Sequence, residues 1–216
     1  MKISQVLVAS AAMAVLTPGL ARAHPHVMVD ANLEIVRNAQ GDVTELRNVW
    51  RFDELFSTTV LMDYDANANN ALEPEELAEV AKTVTKSISE EDFFTEVRLG
   101  NDSVEFVPPA EIMVDYVDGQ ILMLFPVTFA QPVKASAGQF RVSIADPTYY
   151  VAFELAGEAA VQVSGNGAGC GVEVVVPDYD KLMSQSQASL TEQFFNNPEN
   201  ADLGDEWMTW VNLKCS

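Results

Sequence analysis

The sequence predicts an α+β protein: an antiparallel β-rich body, a helix-loop-helix insertion, and a C-terminal helix followed by a closing strand. Three observations carry that reading. Short segments with apolar residues at every second position recur along most of the chain. The apolar period changes to that of a helix between about residues 53 and 88. Gly, Asn and Asp stand between the alternating segments at hairpin spacing.

The chain has 216 residues, 48% of them apolar and 9% aromatic, which is enough for a real core and excludes wholesale disorder. Its length suits one domain, or one domain carrying an insertion. With 32 acidic side chains against 12 basic ones, the net charge is -20. Such a surface repels phosphate backbones and anionic head groups, so nucleic acid is not an expected partner. It attracts cations, without selectivity until ligands converge.

Residues 1–23 read as a secretory signal peptide rather than part of the fold. Lys2 is the positive start, residues 6–16 form the apolar run, Pro18 and Gly19 break it, and Ala21-Arg22-Ala23 is a cleavage site. The run is too short to span a bilayer. Residues 24–216 then form one exported domain, and losing Lys2 and Arg22 takes the charge from -20 to -22.

Residues 27–36 alternate as a strand, with Val27, Val29, Leu33 and Ile35 on one face. A turn at residues 38–42 needs a positive φ at Gly41, and residues 43–52 return as the second strand of a hairpin. Residues 53–64 fit a helix capped by Asp53. Leu77, Val80, Ala81 and Val84 sit at helical spacing on the next one. Residues 97–99 and 104–107 flank a turn at Gly100-Asn101-Asp102. Residues 112–117 and 120–127 flank Asp118-Gly119, a strong hairpin signal. Residues 140–145, 149–155, 161–164 and 171–176 are further strands. Residues 178–195 are expected to be helical, and residues 206–215 to close the sheet.

Cys170 and Cys215 are the two cysteines. An even count in an exported chain predicts a single disulfide, and no C-x-x-C redox motif competes with it.

Between the two predicted helices, residues 65–76 read DANANNALEPEE. In this frame Asp65, Asn67 and Asn69 occupy positions one, three and five of an EF-hand loop. Ala71 offers a backbone carbonyl at seven, Leu72 is apolar at eight, Glu73 stands at nine, and Glu76 gives a bidentate carboxylate at twelve. A frame starting at Asp63 would put Pro74 at the twelfth position and fails. Oxygen donors at these spacings suit Ca²⁺. Asn70 replaces the usual turn glycine, and Asn is among the few other residues that enter the left-handed region readily. Few carboxylates and a single hand predict weak affinity, in the roughly 10⁻⁴–10⁻³ M range of extracellular modules.

His24 and His26 are the two histidines, both at the expected mature N-terminus. A free α-amine on His24, its imidazole and that of His26 offer three nitrogens to Zn²⁺, Ni²⁺, Co²⁺ or Cu²⁺. Pro25 has no N–H to deprotonate, which blocks the amino-terminal Cu/Ni geometry. Met28 or Asp30 are available to complete a site. With both histidines at the terminus, no Ser-His-Asp or Cys-His set exists in the body, and no catalytic role is expected. Asp115, Tyr116, Asp146, Tyr149 and Tyr150 are read as structural hydrogen-bonding positions.

His24-Pro25-His26-Val27, Trp50-Arg51-Phe52-Asp53, the loop at residues 65–76 and Asp146-Pro147-Thr148-Tyr149-Tyr150-Val151 occur in this order. Together they resemble the bacterial family called domain of unknown function 1007, over nearly all of residues 24–215. The resemblance implies a periplasmic component of an uncharacterised ABC-type transport system. It further implies proximity to nickel/cobalt-type permeases, hence a metal-handling accessory role. The alternative is a calcium-stabilised periplasmic interaction module with no transition-metal role.

Overall fold

The computed structural model describes residues 26–146, 148, 150–166, 169–178, 181–182 and 205–215. Eleven strands among them form two sheets, and two helices sit between the second and third strands.

Strand β1 (Val27–Arg37) pairs antiparallel with β2 (Val43–Phe52) across the predicted turn. Gly41 supplies the expected positive φ of 87°. β5 (Met113–Val117) and β6 (Gln120–Val133) form the Asp118-Gly119 hairpin, and both turn residues have positive φ. The first sheet runs β5-β6-β2-β1-β8, where β8 is Val151–Glu154, and β9 (Val161–Gly165) also pairs with β1. The second sheet runs β10-β11-β7-β3-β4. Its strands are Cys170–Val175, Trp210–Cys215, Phe140–Ile144, Thr95–Leu99 and Asp102–Ser103 respectively.

Alternation makes the core. Val27, Val29, Ala31, Leu33 and Ile35 of β1 are buried, while Met28, Asp30 and Asn32 point outward. Both sheets feed one apolar cluster. Trp50 meets Phe125 edge-on at 4.7 Å, and Phe129 of the first sheet meets Phe140 of the second. Asn48 is the exception, 1% exposed with neither side-chain polar atom hydrogen-bonded.

Helix α1 (Glu54–Tyr64) starts where expected, with the Asp53 carboxylate accepting from Phe56 N–H. Helix α2 (Pro74–Ser89) begins with proline at a position where the missing N–H costs nothing. Both helices are pinned to the first sheet: Ser57 Oγ accepts from Ile121 N–H and Thr85 Oγ1 from Ile112 N–H. After α2 the chain makes a left-handed turn through Asp92, Phe93 and Phe94, with φ of 46°, 53° and 50°. Burial of Phe93 beside Phe125 offsets the steric cost of that backbone.

Three expectations are corrected. The body is not purely antiparallel, because β8 and β9 both run parallel to β1 along its outer edge. Their connections pass through the other sheet, the long crossover that parallel pairing requires. Residues 104–107 do not return as a strand. Ser103 ends the short β4, and Val107 leaves to bridge Thr128 in the other sheet. Finally, β6 continues to Val133 through Pro126 and Pro132. The expected helix at 178–195 lies almost wholly outside the described residues, as do residues 1–25.

Candidate metal centres

The loop between α1 and α2 closes on itself through short polar side chains. The Asp65 carboxylate accepts from the N–H groups of Asn69 at 3.1 Å and Asn70 at 2.7 Å. Asn67 Oδ1 accepts from Asn69 N–H, and Asn69 Oδ1 from Ala71 N–H. Ala68 and Asn70 take left-handed φ of 57° and 63°, so the glycine position is filled by a residue that tolerates the turn. Leu72 tucks into the core.

The far end of the loop is held by α2. Glu76 accepts from Ala66 N–H at 2.8 Å with Oε1 and from Glu73 N–H at 3.0 Å with Oε2. One carboxylate thus ties position two of the loop to the start of the exiting helix. The Glu73 carboxylate accepts from the amides of Asn67 and Asn69. Its carboxyl is held below the usual range, first by hydrogen bonding with Glu76 and then by the Asn69 amide. The donors are all oxygens, which suits a hard cation. Among the described residues, however, no three His, Cys, Asp or Glu side chains are gathered as a metal-holding group. Asp65, Glu73 and Glu76 are instead bound to the loop's own N–H groups and amides.

The second candidate lies at the start of β1. His24 is outside the described residues. His26 is held at the end of the sheet: its backbone N–H donates to Tyr150 C=O at 3.0 Å, and its ring lies 5.1 Å from that of Tyr150. Asp146 shapes the loop that presents Tyr150, accepting from Thr148 N–H, Thr148 Oγ1 and Val151 N–H at 2.7–2.9 Å. The structural role expected of Asp146 is therefore seen. Asp53, besides capping α1, accepts from Met28 N–H at 2.8 Å, and Met28 C=O accepts from Asp53 N–H. Three sequence motifs separated by up to about 120 residues meet at one end of one sheet.

Pleating sets what this end displays. Met28 and Asp30 share the outward face of β1, just after the exposed His26, and Asp30 stands in register with Arg51 and Glu154. Farther along, the face becomes an open trough of about 540 Å³. Val49, Leu124 and Met113 are among its lining residues, beside Glu34, Glu45 and the Arg47 that bridges both acids. Sequence reasoning missed Tyr150 as the neighbour of His26, and it missed the second role of Asp53. No local pattern signals either.

The fold and sites define an α+β protein: two sheets share one core, with a helix-loop-helix unit inserted between adjacent parts of the chain. No helix among the described residues is long and apolar enough to cross a membrane. The chain belongs to the family described as a protein of unknown function, DUF1007, whose model matches residues 9–215. It is 27% identical over 195 residues to an uncharacterized protein of Haemophilus influenzae, covering 89% of this chain and 91% of that one. It is also 26% identical over 112 residues to an uncharacterized 15.5 kDa protein in the trpE 3' region of Spirochaeta aurantia, covering 51% of this chain and 79% of that one.

Proposed function

We propose that this chain is an exported, periplasmic metal-binding accessory protein of a transition-metal transport system, not an enzyme, with a structural calcium ion in its EF-hand-like loop. The observation that supports it best is the meeting of the three motifs around His26. Such a meeting holds His26 at the end of the sheet, just before a thioether and a carboxylate on the outward face of β1. The metal would be of the Zn²⁺, Ni²⁺, Co²⁺ or Cu²⁺ class, held by His24 and His26. The partner would be a membrane permease or ABC-type transporter for that ion. The Cys170–Cys215 disulfide is compatible with export.

Chain beginning at His24 is expected to bind one such ion more tightly than chain retaining one extra N-terminal residue, because an amide is no ligand at neutral pH. His24→Ala and His26→Ala should each weaken binding by tenfold or more, while Glu76→Gln leaves it unchanged. Binding should weaken in acid, because protons compete with the metal for nitrogen ligands. Isothermal titration with Zn²⁺ and Ni²⁺ decides. A site indifferent to both histidines sinks the transition-metal reading.

In the loop, Ca²⁺ would be held by oxygens of Asp65, Asn67, Asn69, Glu73 and Glu76 and by the Ala71 carbonyl. The ion would neutralise charge on Asp65, Glu73 and Glu76 once they converge on it. Millimolar Ca²⁺ is expected to raise Tm, by the equivalent of about 1.4 kcal/mol at tenfold excess over Kd. Glu76→Gln should abolish the rise. Scanning calorimetry with and without Ca²⁺ tests this, and an unchanged Tm refutes it.

The outward trough, with its Val49, Leu124 and Met113, favours a second reading. It is a calcium-stabilised interaction module with no transition-metal role, which the histidine titration separates from the first.

A further inference from the structure

The corner where β1 ends carries chemistry that neither metal reading uses. Cys170 and Cys215 stand directly opposite each other on β10 and β11 and are joined by a disulfide. Cys215 is exposed, whereas Cys170 is half-buried against the core. Arg37, the last residue of β1, reaches this bond from the other sheet. Its guanidinium donates to the carbonyls of Gly41 and Asn166, both at 2.7 Å, and to Cys170 Sγ. Gly41 leaves room for it, since a Cβ there would come within 2.6 Å of Arg37 Nη2. Lys214, adjacent to Cys215, has its ammonium on Glu173 at 3.0 Å, one rung away. Among the described residues the cation directed at the disulfide is Arg37, whose hydrogen bond goes to Cys170 Sγ.

We propose that the Cys170–Cys215 disulfide is a directional thiol-exchange site, attacked at Cys215 with Cys170 leaving as a thiolate paired to Arg37. The reductant class is a dithiol. Its thiolate attacks Sγ of Cys215, the more exposed residue of the pair, the S–S electron pair departs on Cys170 Sγ, and a mixed disulfide forms on Cys215. The second thiol of the reductant then closes on its own sulfur, releasing the Cys215 thiolate, which takes a proton from water. Two electrons pass from dithiol to disulfide. A better-stabilised leaving thiolate accelerates the first step, and a stabilised reduced form makes the bond more oxidising. Reduction also unfastens the end of β11 from β10 while leaving Arg37 on its two carbonyls.

The test uses the oxidised full chain equilibrated in mixtures of reduced and oxidised dithiothreitol, with thiols trapped by alkylation and counted by mass. Arg37→Met is expected to make the disulfide about tenfold harder to reduce, a shift of about 30 mV to more negative potential. Arg37→Lys, which keeps the charge, should recover part of that shift and guards against a Met variant that folds poorly. A brace without electrostatic effect predicts the reverse, since loosening the corner makes reduction easier. An unchanged or more positive potential in both variants overturns the proposal. In a second arm, oxidised protein is treated with reduced glutathione, quenched in acid and mapped by peptide mass. Glutathione on Cys215 is expected, and glutathione on Cys170 overturns the direction of attack.

Discussion

Replacing Cys170 with Ser is expected to lower stability by about 4 kcal/mol, the chain-entropy value for a loop the size of the one between Cys170 and Cys215. The bond joins β10, an edge strand, to β11, which lies inside its sheet between β10 and β7. Beside the bond, Val172, Glu173 and Val174 stand opposite Leu213, Asn212 and Val211 in the same ladder. The loss falls mainly on the unfolded chain, which regains the freedom of the long excursion between the two strands. Urea unfolding should show a lower midpoint for Cys170→Ser, and reduced wild-type protein should unfold with it. A variant as stable as oxidised wild type would show that the clasp carries no stability.

Gly165→Ala should cost about 3 kcal/mol, combining a left-handed backbone with severe overpacking. Gly165 has φ of 76° at the end of β9, and a Cβ there would lie 1.8 Å from the Arg37 carbonyl oxygen. That oxygen belongs to the strand β9 pairs with, so neither side can move without breaking the parallel ladder. A useful control is Gly119→Ala, where φ is 82° but nothing lies within 4 Å. There the backbone term alone remains, about 1–2 kcal/mol. Thermal unfolding should place Gly165→Ala about 10 °C below wild type, with Gly119→Ala between them. Equal losses at both positions would mean that the close approach to Arg37 is relaxed at no cost.

Much of the chain was legible because its signals are local. The alternation in residues 27–36, the Asp118-Gly119 turn and the Asp53 cap each encode dihedral preferences within a few residues. The spacing in residues 65–76 suits Ca²⁺ ligation, and what the structure shows there is a loop closed by its own hydrogen bonds. A single pairing was available to two cysteines. Residues 104–107 show the limit. Their apolar character reads as a strand, yet Val107 finds its partner in the other sheet, because pairing energy depends on which backbone is near.

Most elements, their buried faces and the turn glycines could be read from local pattern. Tertiary folding chose their neighbours. It set β8 and β9 parallel to β1, brought Tyr150 onto His26 and Asp53 onto Met28, and laid Arg37 against a sulfur 133 residues away. Face and dihedral are properties of a short segment. Adjacency between distant segments is selected by the closing of one shared core, whose loop-closure cost and packing gain belong to the whole chain.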